Sequence, residues 1–336
     1  MKNFVFLFFI AVCIYSCGDD KNIPDVSGIE SKVQIERFDK DFFTIDTSNV
    51  QASLTALQKK YPSFLNDFLY NILVVPPQPD SAAQKVKMFI HDYKPIYDSA
   101  QLLFSSTKKM QKEIAKGLQF VQYYFPEYKT SNSVITFIGP VEGYANVLTS
   151  GGLAVGLQLY MGKDFAIYHN EYIEEVYPAY QSRRFEPKYI PVNCIKNIVD
   201  DIYPSTNADM PLIYQMIEAG KRLYVLDKLL PETEDSLKTG YTQLQLDGCF
   251  ENEAMIWNYF LQNNLLYATD PALTRDYMND APKTEILGEG SPGFIGQFTG
   301  WQIIKKWLGI KPEITLEQLL QTPAKQIFEE ARYKPK

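Results

Sequence analysis

The segment GGLAVGLQLYM at 151–161 decides the fold class of this chain of 336 residues. Its apolar residues recur at every second position, which favours a strand with one apolar face. A run rich in β-branched residues, SVITFI at 133–138, precedes it and ends at a Gly-Pro pair. We therefore predict a small antiparallel sheet, with turns at Gly143 and at 150–152.

Segments with helical periodicity lie on both sides of this sheet, and a further strand is predicted near 33–37. The predicted helices cover 49–60, 61–75, 81–104, 191–203, 209–230 and 250–265, with another between Ser106 and Pro126. The last long helix has Ser291 as N-cap and Pro292 as first residue, and it ends before Gly309. No repeat or linker is evident, so we predict a mostly helical single domain of the α+β class.

The first twenty residues, MKNFVFLFFIAVCIYSCGDD, are typical of an export signal. Lys2 precedes an uncharged run at 4–14, which is too short for a membrane-spanning helix of about 20 residues. The run ends at Ser16-Cys17, a pair that resembles a bacterial lipobox. In that motif the cysteine receives a diacylglycerol and, after cleavage, an N-acyl chain such as palmitate. An ordinary signal peptide or an uncleaved anchor is the alternative.

Three parts of the chain follow from this interpretation: a lipoprotein signal peptide at 1–16, a polar tether at 17–30 and one globular domain at 31–336. Several acyl chains on Cys17 would hold the domain at a membrane stably. We expect no cofactor beyond these covalent chains. Gly18 stands where enteric inner-membrane lipoproteins carry a retention aspartate, so the outer membrane is favoured and the leaflet stays open.

Charge and cysteine content limit the partners. The net charge is −7 and no basic block occurs, so nucleic acid is not an expected partner. Cys194 and Cys249 are the cysteines of the exported domain. They could form a disulfide in the oxidising envelope, or they could be two buried thiols.

The predicted helix at 191–203 lacks the residues of a zinc site. Zinc peptidases place two histidines at i and i+4 of one helix. Here the pairs at that spacing are Asn193/Asn197, Lys196/Asp200 and Asn197/Asp201. His91 and His169 are the two histidines of the chain, and neither has a helical histidine partner. No Gly-x-Ser-x-Gly pattern occurs and Cys194 has no nearby histidine, so we expect no complete catalytic set.

Six charged residues are candidates for a cleft or for a partner-binding surface. They are Arg183, Arg184, Asp200, Asp201, Glu251 and Glu253. The arginine pair could bind a carboxylate or phosphate, or could form structural ion pairs. Paired acids can perform acid–base catalysis, but acids two apart on a helix diverge, and acids at a helix start also stabilise its dipole.

The glycines near the C-terminal helix match a nucleotide-binding pattern only in part. Gly288-x-Gly290-x-x-Gly293 fits the dinucleotide fingerprint, but no long strand precedes it and no second strand follows the helix. A glycine turn into a helix is the simpler interpretation. Gly296 and Gly300, four residues apart, are expected to let another element pack closely.

Five blocks of sequence resemble the gliding-motility lipoprotein B (GldB) family of Bacteroidota. They are the lipobox, VQIERFDKDFF at 33–43, GLAVGLQLYMGKDFAIY at 152–168, YPAYQSRRFEPKYIP at 177–191, and the tail LLYATDPALTRDYMNDAPKTEILGEGSPGFIGQFTGWQIIKKWL at 265–308. The resemblance implies a cell-envelope lipoprotein associated with the gliding and type IX secretion machinery. It transfers only the lipidated cysteine, onto Cys17, and no catalytic residue.

The order of these blocks also looks like that of a family of predicted zinc peptidases. That likeness implies a degenerate zincin-like fold that lacks the metal motif, a conclusion that rests on fold analogy. We therefore expect a non-enzymatic, lipid-anchored envelope protein that binds a partner protein or an envelope polymer. The alternatives are an envelope hydrolase that uses acidic residues on peptide or glycan, and a solute-binding lipoprotein with two lobes.

Overall fold

A computed structural model describes residues 23–205 and 210–335. A four-stranded sheet with the order β1-β2-β4-β3 lies within the N-terminal half. Its strands are β1 (Gln34–Glu36), β2 (Ser133–Phe137), β3 (Asn146–Thr149) and β4 (Gly152–Gly156). The β1–β2 and β2–β4 pairs are parallel, and only β3 and β4 are antiparallel. The α+β class is confirmed, whereas the prediction of an antiparallel sheet is wrong for two of the three pairings.

The strand directions follow from the connections rather than from the strand residues. A tight turn at Ser150-Gly151 joins β3 to β4, which makes that pair antiparallel. Before it, the chain leaves β2 and crosses to the far edge, so that β4 returns beside β2 in the same direction. All five residues of β4 are buried, as is usual for a strand covered on both faces.

Fifteen α-helices occur in the part of the chain that the structure describes. They are α1 (Phe38–Phe43), α2 (Val50–Lys60), α3 (Pro79–Leu103), α4 (Lys108–Tyr124), α5 (Glu171–Val176), α6 (Ala179–Ser182), α7 (Ile190–Ile202), α8 (Leu212–Leu229), α9 (Asp235–Thr239), α10 (Gln243–Glu251), α11 (Glu253–Gln262), α12 (Pro271–Met278), α13 (Ile295–Ile310), α14 (Leu316–Gln321) and α15 (Ala324–Ala331). A π-helix covers Asp67–Ile72. The predicted helix at 191–203 is therefore confirmed as α7.

Several predicted helix boundaries are wrong. The helix predicted at 61–75 is a set of turns with the short π-helix, and the one predicted at 250–265 is divided between α10 and α11. By contrast, α3 continues through Pro95 to its end. Pro95 lacks only one amide donor, and the carbonyl left free belongs to the exposed residue His91.

The start of α13 also differs from the prediction. Ser291 is not the N-cap, because its hydroxyl donates to the Gly288 carbonyl at 2.7 Å and to the Thr284 carbonyl at 3.0 Å. The helix begins three residues later, after Phe294 adopts a left-handed conformation with φ of 56°. At the other end it includes Gly309.

The closest helix contact lies between α8 and α13. A Cβ atom at Gly300 would lie 1.7 Å from the Met216 carbonyl oxygen, and one at Gly220 would lie 2.2 Å from the Gly300 carbonyl carbon. The two backbones therefore touch where both helices have glycine. A Cβ at Gly296 would also lie 2.3 Å from the Met278 sulfur. The prediction that Gly296 and Gly300 permit close packing is confirmed.

The two cysteines of the domain are separate buried thiols, so the disulfide interpretation is not what the structure shows. The Asn146 side-chain amide donates to the sulfur of Cys194 at 3.1 Å. Burial raises the pKa of both Cys194 and Cys249 to about 12. Thiols with such pKa values are protonated and weakly nucleophilic at neutral pH.

The N-terminal end of the described chain is already packed on the domain. Val26 is fully buried, so the packed body begins before residue 31. The predicted signal peptide at 1–16 and Cys17 lie outside the described residues. Within the described ranges, no helix is both long enough and apolar enough to cross a membrane.

Candidate functional site

A cavity of about 840 Å³ lies between α7, α8, α12 and the start of α13. Helix α8 lines it with Gln215, Ala219, Arg222 and Leu226, which are three or four residues apart and therefore share one helix face. A volume of this size falls within the range of small-molecule and cofactor sites. The opposite face of α8 carries Gly220 and packs on α13.

Helix α7 turns its polar face toward the same cavity. Its apolar stripe, which includes Cys194, Ile195 and Ile198, is buried. Lys196 and Asp200, one turn apart, line the cavity. The spacing of apolar residues on α7 therefore fixes which charged side chains reach the cavity.

Lys196 is the cation of this cavity that has no hydrogen-bond or ion-pair partner among the described residues. Burial, together with the nearby charge of Arg184, lowers the pKa of its ammonium to about 8. The carboxylates of Asp200 and Asp280 oppose this effect only in part. A half-buried cation without a bonded partner is a suitable site for an anionic group.

Arg222 lines the same cavity as Lys196 and is held in place by neighbouring groups. Its guanidinium donates to the carbonyls of Glu218 and Tyr203, both at 3.1 Å, and lies over the Tyr203 ring at 5.0 Å. Its Nε is 3.7 Å from Asp200 Oδ1. Burial raises the pKa of Asp200, while the charges of Arg222 and Lys196 lower it.

Lys238 also lines the cavity, but its charge is satisfied. Its Nζ lies 2.6 Å from Asp227 Oδ1 and 2.6 Å from Asp235 Oδ1. The Trp301 indole donates to the other oxygen of Asp227 at 2.6 Å. Lys238 is therefore part of a buried structural network, whereas Lys196, Arg222 and the exposed Arg275 are the cations that a ligand could meet.

The family to which this architecture belongs is shown by sequence comparison. A model of the gliding motility protein GldB family matches residues 19–335. This chain belongs to the GldB family. Membership makes it a gliding-motility-associated lipoprotein and supports anchoring at the cell envelope. No curated protein and no solved structure matches the chain. The zincin-like interpretation stays a prediction.

In this GldB family member, the predicted arginine pair lies next to the cavity. Arg184 forms an ion pair with Asp280 and acts on the cavity lysine through its charge. Arg183 donates to the Gly240 carbonyl at 2.7 Å, and burial lowers the pKa of its guanidinium. Both arginines thus make structural contacts, which was the alternative to ligand binding.

Of the four predicted acids, only Asp200 lines the cavity, and the other three lie outside it. Asp201 accepts a hydrogen bond from the Tyr128 hydroxyl at 2.7 Å. Glu253 accepts one from the Tyr333 hydroxyl, and Glu251 is exposed. The structure does not bring these acids together as a catalytic pair.

The histidines of this GldB family member lie at the surface. The side chain of His91 is 89% exposed beside Asp92, and that of His169 lies 3.5 Å from Glu174. In residues 23–205 and 210–335, no three His, Cys, Asp or Glu side chains are grouped so that they could hold a metal ion.

The sequence analysis missed the cations that define the cavity. The polar face of α7 includes Lys196, but its spacing to Asp200 indicates no site by itself. Arg222 shares a face with Gln215 and Ala219 of α8, a spacing visible in the sequence. No local motif marks these residues, because the site is formed by helices that are distant in sequence.

Proposed function

We propose that this GldB family member is a non-enzymatic binding component of the gliding or type IX secretion machinery. Its cavity receives an anionic group of an envelope partner protein. The observation that carries this proposal is the ammonium of Lys196, which lines the cavity without a bonded partner among the described residues. The fixed guanidinium of Arg222, which lines the same cavity, offers a second positive charge. A carboxylate or phosphate would be stabilised between the two.

The proposal includes the anchor predicted from the sequence. Residues 1–16 are removed as a signal peptide, and Cys17 carries a diacylglycerol and an N-acyl chain in the outer membrane. Membership in a lipoprotein family and the Ser16-Cys17 pair support this part. The anchor would keep the cavity at the membrane surface, where envelope partners are concentrated.

Two alternative functions have weaker support. An acid-dependent hydrolase needs two carboxyl groups around one substrate, and the described acids are dispersed. A solute-binding lipoprotein would have two lobes around a hinge, whereas the described chain forms one continuous buried core. The size of the cavity is nevertheless compatible with a small solute.

Photocrosslinking in intact cells tests the proposed function. A photoreactive amino acid replaces Asn279, an exposed residue of the cavity lining. The same amino acid replaces Leu244, which is 80% exposed and outside the cavity lining, as a position control. We expect one dominant envelope-protein adduct from position 279 and not from position 244.

Charge variants show whether the adduct depends on the cavity cation. Lys196→Met should reduce the adduct at least tenfold, whereas Lys325→Met at an exposed surface position should leave it unchanged. An adduct that survives Lys196→Met would contradict anion binding in the cavity. Turnover of peptide or glycan by the purified protein would favour the hydrolase instead.

A further inference from the structure

Helix α4 presents a basic face on the outside of the molecule. Lys108, Lys112 and Lys116 are four residues apart and therefore lie along one side of the helix, over about 12 Å. Lys108 and Lys112 are exposed and have no ion-pair partner among the described residues. Lys109 beside them lies 3.8 Å from Glu113 Oε1, a weak surface pair.

The N-terminal segment of the described chain runs along this same helix. The Gln119 side-chain amide donates to the Ile29 carbonyl at 2.7 Å, and that of Gln111 donates to the Val33 carbonyl at 2.6 Å. Residues 29–33 therefore run antiparallel to α4. Farther upstream, a backbone hydrogen bond from Ser27 lowers the pKa of Asp25, and the charge of Lys116 adds to this effect.

The position of the anchor relative to this helix follows from chain length. Cys17 precedes Ile23, the first described residue, by six positions. Six residues span at most about 20 Å when fully extended. A lipid on Cys17 therefore holds the bilayer surface within about 20 Å of the start of the described chain, and α4 is the helix to which that chain is hydrogen-bonded.

An exposed apolar pair lies at the end of α3, and four residues separate it from the start of α4. Leu102 and Leu103 end α3 and have exposed fractions of 81% and 46%. Phe104 is buried directly after them, and its carbonyl accepts a hydrogen bond from Arg37 at 2.8 Å. Lysines next to exposed leucines are typical of surfaces that lie on anionic lipid headgroups.

We propose that Leu102, Leu103 and the lysine face of α4 form the surface on which the body rests against phosphate headgroups of its own membrane. This proposal rests on the lipidation of Cys17 in the proposed function. The chain as a whole has a net charge of −7, so an anionic membrane repels most of its surface. The basic face thus sets the orientation of the body, while the acyl chains supply the attachment.

Depth-dependent fluorescence quenching tests this orientation in the full lipidated protein. Leu102→Cys and the equally exposed Leu244→Cys each carry a thiol-linked fluorophore. Cys194 and Cys249 are buried and stay unlabelled. The vesicles contain phosphatidylglycerol, phosphatidylethanolamine and a spin-labelled quencher lipid. We expect at least threefold stronger quenching at position 102 than at position 244.

Two matched triple variants distinguish the effect of the lysine face on quenching from the effect of total charge. Replacement of Lys108, Lys109 and Lys112 by Gln removes two charges from the lysine face and, beside it, the charge and weak ion pair of Lys109. Replacement of Lys306, Lys325 and Lys334 by Gln removes three exposed charges and one similar pair elsewhere. The first variant should lower quenching at position 102 about threefold or more, as should high salt, and the second should not.

The outcomes are distinguishable. Mass spectrometry that finds Cys17 without acyl chains overturns the anchor and this surface together. Acylated protein with equal quenching at both positions, stronger quenching at position 244, or the same response to both triple variants overturns the surface alone.

Discussion

The two faces of α8 show how one helix serves two purposes. The face that carries Gly220 touches the backbone of α13 at Gly300 and leaves no room even for a methyl group. The face that carries Gln215, Ala219 and Arg222 lines a cavity of about 840 Å³. The contact between the two glycines leaves no space for a ligand or a side chain between α8 and α13. The face that lines the cavity leaves charged groups accessible to a ligand, so stability and binding can be altered separately.

The largest effect on the free energy of unfolding is expected where the backbones of α8 and α13 touch. Gly300→Ala places a Cβ atom within 1.7 Å of the Met216 carbonyl oxygen, so α8 and α13 must separate. We expect a loss of more than about 3 kcal/mol in the free energy of unfolding, or no folded protein. Urea denaturation followed by circular dichroism measures this change.

Gly309→Ala is the matched control on the same helix. No heavy atom lies within 4 Å of a Cβ built at Gly309, so this change should raise the free energy of unfolding by up to about 1 kcal/mol. Equal stabilities of the two alanine variants would show that the glycine contact does not hold the helices together.

Removal of the charge should affect the free energy of unfolding differently at the two cavity lysines. Lys238→Met removes the ammonium that lies 2.6 Å from both Asp227 and Asp235, and we expect a loss of about 3 kcal/mol in the free energy of unfolding. Lys196→Met replaces a half-buried cation that has no bonded partner among the described residues, so it should be neutral or stabilising. Denaturation midpoints of the two variants at pH 7 test the difference. A comparable loss from Lys196→Met would mean that Lys196 has a stabilising partner.

The parts of this molecule that sequence could predict are those set by local spacing. The apolar stripe of α7 and the four-residue spacing of Gly296 and Gly300 were visible directly, and both were confirmed. Strand direction was not, because β2 and β4 are parallel through a crossover that no residue in either strand specifies.

The candidate site was predictable only in part for a related reason. Asp200 could be placed on the polar face of α7, but its neighbour Arg222 comes from α8. Whether a lysine is paired depends on distant residues, as the bond of Lys238 to Asp227 shows. Sequence spacing therefore identified α7, α8 and α13, but it identified neither α12 nor the cavity.

The smallest predicted effect is a dependence of stability on pH that comes from Lys196. Its pKa is about 8 in the folded protein and 10.5 when unperturbed. Between these values the unfolded chain binds more protons than the native one, so the free energy of unfolding rises with pH. The cost of the partly desolvated charge is full below pH 8 and is relieved as the ammonium deprotonates.

Comparison of wild type with Lys196→Met isolates this contribution, because the other titrating groups are common to both. The difference in their free energies of unfolding should shift in favour of the wild type by about 2 kcal/mol between pH 7 and pH 9.5. Urea titrations at pH 7, 8.5 and 9.5 measure it. A constant difference would show that the ammonium of Lys196 is fully hydrated or ion-paired, and the contrast with Lys238 would then disappear. A rising difference should be accompanied by loss of the crosslinked partner over the same pH range, because the deprotonated amine no longer attracts an anion.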